Sequence, residues 1–157
     1  MADPQVPHPA VEHPAVEVAR SFLEAIVWGQ HLTVWELLSS AGRDVVLEAG
    51  ARRGLDAVQA ARLRQGTSPT EEQDKFLTGL VHGLRVDFSS VELEKVVPLS
   101  DVVELAEGRY EVTLECPASF GEGGWAAGSM EISEQRRADG VTRWLVDRIN
   151  PLVSRSE

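Results

Sequence analysis

Apolar residues recur at helical spacing in the first half of the chain and alternate with polar ones in the second. Pro14 suits the first position of a helix whose buried face carries Val18, Phe22 and Ile26 beside Ala19, Leu23 and Ala25, and Trp28-Gly29 should end it. A short second helix is expected over 31–39, with Val34, Trp35, Leu37 and Leu38 apolar and Ser39-Ser40-Ala41-Gly42 as the break. Val45, Val46, Leu47 and Ala49 open a third helical region. It continues through Leu55, Val58, Ala61 and Leu63 and is interrupted near Gly50 and Gly54. In Ser68-Pro69-Thr70-Glu71 a serine, a proline and a glutamate stand as in a capping box, so a further helix starts there. Phe76, Leu77, Leu80 and Val81 give its buried face, and His82-Gly83 reads as its stop.

Beyond Gly83 the period changes to two. Leu84, Val86 and Phe88, then Val91 and Leu93, read as the first extended segments. Val102–Glu107 and Arg109–Cys116 flank Gly108 as a hairpin, with Tyr110, Val112, Leu114 and Cys116 on one face. Trp125–Gln135 and Val141–Ile149 form a second hairpin around Asp139-Gly140, and a bulge near Gly128 or Ser89-Ser90 would invert the faces beyond it. No strand–helix–strand alternation occurs. The expected class is therefore α+β, with N-terminal helices packed on a curved antiparallel sheet.

A length of 157 residues fits one domain, placed at 14–150. Residues 1–13 contain three prolines and the first copy of a tandem His-Pro-Ala-Val-Glu repeat, and read as a flexible tail; 151–157 read as a flexible C-terminus. The formal charge is −10. Residues 1–66 carry 8 acidic against 6 basic side chains and residues 67–157 carry 17 against 9, so the acidity lies on the sheet half. Such a surface repels phosphate backbones, which argues against nucleic acid as a partner. The single cysteine, Cys116, excludes an intrachain disulfide, and no long apolar run or signal-like N-terminus is present, so a cytoplasmic protein without membrane contact is expected.

Three segments carry a resemblance. Trp28-Gly29-Gln30-His31, Val34-Trp35-Glu36-Leu37-Leu38 and the closing strand Arg143-Trp144-Leu145-Val146-Asp147-Arg148 resemble the NTF2-like superfamily of cone-shaped α+β domains, whose relatives include SnoaL and ketosteroid isomerase. The resemblance spans about residues 14–150. It implies a pocket between sheet and helices and a homodimer formed through the open sheet face. Some members of the family are isomerases, hydratases or cyclases, and others bind ligands or proteins without catalysis, so fold does not decide function.

Proton abstraction beside a carbonyl needs a carboxylate and an oxyanion donor facing one dry cavity. Tyr110 and Asp147 are the candidates for those catalytic roles, although a tyrosine on an apolar face usually packs and an aspartate between strand residues usually pairs with arginine. Trp35, Tyr110, Trp125 and Trp144 are the candidate pocket wall for a small apolar ligand. His31 and His82 lie far apart without ligand spacing, so no metal is expected, and no motif implies a cofactor. Arg43, Arg52, Arg53, Arg62 and Arg64 read as a solvated helix face interleaved with Asp44, Glu48 and Asp56. With no recognisable catalytic set, the favoured expectation is a non-catalytic domain binding a small molecule or a protein. An isomerase, hydratase or cyclase using Tyr110 and Asp147 is one alternative, and a structural dimerisation module with its cone filled is the other.

Overall fold

The computed structural model describes residues 12–88, 92–117, 124–136 and 138–151, and the backbone alone of Trp125. Five helices precede a four-stranded sheet, which makes the domain α+β. Helix α1 spans Pro14–Val27, α2 His31–Leu37, α3 Ser40–Arg52, α4 Ala57–Gln65 and α5 Thr70–Asp87. Pro14 opens α1 as expected. The ring nitrogen Nδ1 of His13 accepts the Ala15 N–H at 3.1 Å and so satisfies one of the donors that every helix start leaves free. Gly29, at φ 69°, takes the left-handed conformation that ends the helix cleanly.

Three local expectations are corrected. Ser39 does not break the chain but caps α3. Its Oγ accepts the Gly42 N–H at 3.0 Å, so the helix begins at Ser40, well before Val45. Ser68 is not the cap of α5: Pro69 holds that position, and the Ser68 hydroxyl donates to Glu72 Oε2 at 3.1 Å. Helix α5 does not stop at His82-Gly83 but runs to Asp87. Leu84 and Phe88 are four apart, and both are buried in continuation of Leu77 and Val81, while Val86 between them is 55% exposed. An 84-86-88 alternation and a helical stripe share the same end residues, and here the helix prevails. Of the two residues expected next in strand, Val91 lies outside the described residues and Leu93 begins a single 3₁₀ turn, Leu93–Lys95.

Strands β1 (Val97–Ala106), β2 (Arg109–Pro117), β3 (Gly124–Arg136) and β4 (Thr142–Pro151) form an antiparallel meander in sequence order. Gly108 and Gly140, at φ 73° and 85°, make the two turns that their positions foretold. Four register shifts interrupt the ladder among the described residues, two of them between β1 and β2 and two that bear on the site. Leu114 faces Gly128 while Glu115 faces Ala126, which places a bulge beside Gly128. Glu131 faces Arg148 while Ile132 faces Val146, so Asp147 is the extra residue of β4.

Helix α1 lies on one face of the sheet and touches all four strands. Val16, Phe22 and Ile26 are excluded from solvent together with Val112, Leu114, Met130, Ile132 and Val146. Each contributes roughly 1.5–3 kcal/mol by burial, so this layer is the main apolar store of the domain. Strand β4 is an edge strand, and the link between α2 and α3 covers it. Leu38 bridges Val146 in parallel, and the Ser39 N–H donates to the Val146 carbonyl at 2.9 Å. Gly42 then passes so close that a Cβ there would stand 2.3 Å from the Val146 carbonyl oxygen.

That approach yields a prediction. Gly42→Ala should destabilise the domain by about 1–3 kcal/mol, the usual cost of overpacking. Gly79→Ala, in mid-α5 with nothing within 4 Å of its Cβ position, should stabilise it by about 0.5–1 kcal/mol. Urea unfolding of the two variants measures both signs.

Candidate functional site

A cleft of about 690 Å³ runs between α3 and α5. Its size lies within the range of small-molecule sites. Leu38, Gly42 and residues 147–149 of β4 line it where α3 begins, and Leu55 and Phe76 line it where α3 ends. The helical period explains the wall on α5: Phe76, Gly79, Leu80 and Gly83 recur at three- and four-residue steps and share one face. Opposite them, Val46 and Gly50 lie four apart on α3. Gly50 is needed for contact, since a Cβ there would meet the Leu55 side chain at 3.0 Å and Phe76 at 3.3 Å. Gly79 and Gly83 are different in kind. Nothing comes within 4 Å of a Cβ built at Gly79, and only the Arg53 guanidinium, at 3.8 Å, approaches one at Gly83. Packing therefore does not explain why these two cleft-facing positions of α5 are glycine.

Six charged side chains border the cleft: Arg53, Lys75 and Arg148 against Glu72, Asp87 and Asp147. Glu72 is engaged by Arg62 at 3.0 Å. Asp147, whose side chain is 12% exposed, accepts hydrogen bonds from Ser39 Oγ and, at 3.0 Å, from Ser133 Oγ, and its second oxygen lies 3.8 Å from Arg109 Nε. The Gln135 amide donates in turn to Ser133 Oγ. The carboxylate thus joins the α3 cap to the outer rows of β2 and β3.

The structure does not bring Tyr110 to Asp147. Tyr110 pairs with Ile132 and shares the parity of Val112 and Leu114, toward the helices. The serine and arginine that hold Asp147 alternate with those residues and belong to the opposite face. Tyr110 instead packs on His13 and Trp144, with ring centroids at 4.7 and 5.5 Å. Desolvation first, then the carboxylates of Glu104 and Glu134, raise the pKa of its phenol above the ordinary value, which weakens it as a donor to an oxyanion. Trp35 is core. It stands edge-on to Phe76 at 6.0 Å, behind the cleft wall, with the Arg43 guanidinium 4.8 Å above its ring. The Trp125 side chain lies outside the described residues. None of Trp35, Tyr110 and Trp144 lines the cleft; Asp147 does.

His31 ties α2 to α5 through Asp74 at 3.2 Å, and His82 is exposed within α5 rather than at its end. Cys116 is buried on the inner face of β2. Among the described residues no group of His, Cys, Asp or Glu could hold a metal ion, and no helix is long and apolar enough to cross a membrane. The outer face of the sheet, where the family resemblance sets a dimer contact, carries the Arg109–Glu131 ion pair and the Asn150–Glu131 hydrogen bond, with Glu111 and Glu115 on the same parity. Sequence reasoning missed Arg53, Phe76, Arg148 and the two glycines as cleft residues. The available signal was the Gly79-to-Gly83 spacing in step with Phe76.

The Asp147 network predicts coupled losses. Asp147→Ala takes the acceptor from the Ser133 hydroxyl and leaves the Ser39 hydroxyl only the Val146 carbonyl at 3.2 Å, and should cost about 1–3 kcal/mol; Ser39→Ala, which also removes the α3 cap, should cost about 1 kcal/mol. In the double variant the total should fall short of the sum, because both substitutions remove the same hydrogen bond; strict additivity in urea unfolding would contradict the network. Compared with known proteins, the chain matches no family model, no curated protein and no solved structure.

Proposed function

We propose that this protein is a non-catalytic small-molecule-binding domain and that its ligand enters the cleft between α3 and α5. One observation carries the reading. A cleft with apolar walls from Val46, Leu55, Phe76, Leu80 and Ile149 is kept open by glycines in mid-helix that no packing contact requires. Each such glycine costs a helix about 1 kcal/mol relative to alanine, a cost that close approach of a ligand to the backbone would offset.

Catalysis by the Tyr110 and Asp147 pair has less support, because their side chains belong to opposite faces of the sheet and Asp147 is committed to two serines. The space between α1 and the sheet, where the NTF2-like resemblance sets a pocket, is occupied by Val16, Phe22 and Ile26.

The test uses N-phenylnaphthylamine, an uncharged apolar fluorophore of suitable size. It should bind the wild-type protein, and Gly79→Leu, which fills the strip without disturbing the core, should weaken binding about tenfold or more, a loss of about 1.4 kcal/mol. Tyr110→Phe should leave binding unchanged. Equal affinity in wild type and Gly79→Leu would overturn the proposal.

A further inference from the structure

Resting on that cleft, we infer that its ligand is a small amphipathic anion whose apolar body lies along Gly79 and Gly83 and whose anionic head is held by Arg53. The Arg53 guanidinium crosses from the end of α3 to lie 3.8 Å from the point a Cβ on Gly83 would occupy. It makes no ion pair or hydrogen bond among the described residues, although the chain carries 25 acidic side chains. Of the other carboxylates on the cleft wall, Glu72 is engaged by Arg62 at 3.0 Å and Asp147 by Ser39, Ser133 and Arg109. Lys75 and Arg148, the other two cations on the cleft wall, make no ion pair there either.

With Glu72 and Asp147 satisfied by their own partners, three cations face one uncommitted carboxylate, Asp87. In a protein of net charge −10 this wall balances three cations against three carboxylates, two of which are paired with Arg62 and Arg109 from outside it, and the balance coincides with a glycine strip that exposes helix backbone to a cavity. A guanidinium offers a planar fork of donors matched to a carboxylate, sulfonate or phosphate oxygen pair, and such charge-assisted bonds are roughly twice as strong as neutral ones. Leu55, Phe76 and Leu80 supply the apolar contact for the body of the same molecule. An anion without an apolar body would forgo those walls, and a neutral apolar body would leave Arg53 without a partner.

Two probes that share one skeleton separate the charge from the cleft. Anilinonaphthalene sulfonate is N-phenylnaphthylamine with a sulfonate added. Wild-type protein should bind the sulfonate at least several-fold more tightly than the neutral probe. Arg53→Gln should weaken the sulfonate about tenfold and leave the neutral probe within about twofold, as expected for loss of one charge-assisted contact. Arg52→Gln, an equal change of net charge on the same helix but off the cleft, should leave both probes within about twofold. Equal weakening by Arg52→Gln and Arg53→Gln, or no preference for the sulfonate in wild type, overturns the anion reading while the cleft stands. If Gly79→Leu fails to weaken the neutral probe, or if neither probe binds wild type, the cleft reading itself falls and the inference with it.

Discussion

The arrangement of the domain depends on how residues 38–42 dock on the edge of the sheet. The Val146 carbonyl receives the Ser39 N–H, the Ser39 hydroxyl caps α3 and donates to Asp147, and Gly42 brings the first turn of α3 against the same carbonyl. Ser39 thus covers part of an edge strand with its backbone N–H, and with its side chain starts a helix and holds a bulged aspartate. An uncovered edge strand would offer a row of unpaired backbone groups to another chain. Here that row is partly closed by the chain itself, and the closure sets the direction in which α3 leaves the sheet.

That direction creates the cleft. Helix α1 takes the inner face of the sheet and packs Val16, Phe22 and Ile26 against it. Helix α3 leaves from the β4 edge, and α5 reaches it through Gly50, Leu55 and Phe76 at one end. Between the docked end and this second contact the two helices leave a cleft whose α5 wall is glycine at positions 79 and 83. A cavity in a domain of this size is a loss of packing. Its persistence, with two mid-helix glycines that an alanine could replace without a clash, is the physical reason to read it as a site.

Much of the fold was legible in the sequence, and for identifiable reasons. Pro14 with the Val18, Phe22 and Ile26 stripe marked α1, and Gly108 and Gly140 marked both hairpins, because proline at a helix start and glycine at positive φ have few alternatives. The segment from Leu84 to Phe88 was not legible, since apolar residues at 84 and 88 satisfy both a two-residue and a four-residue period. Ser39-Ser40-Ala41-Gly42 reads equally as a break or as a cap, and only the β4 edge decides between them. Of the cleft, only the Gly79-to-Gly83 spacing in step with Phe76 is visible in the sequence. Its walls come from residues 38–59, 72–87 and 147–149, and the side to which Asp147 projects is set by a bulge that strand parity does not reveal. Tyr110 and Asp147 were paired in the sequence reading because each is chemically apt. The register places them on opposite faces.

Two-dimensional NMR of the labelled protein during titration with anilinonaphthalene sulfonate shows whether the space between α3 and α5 receives the ligand. The largest amide shifts should fall on Gly50, Arg53, Gly79 and Gly83, whose residues line the cleft. Shifts centred instead on Tyr110 and Trp144, with those four amides unmoved, would contradict that placement.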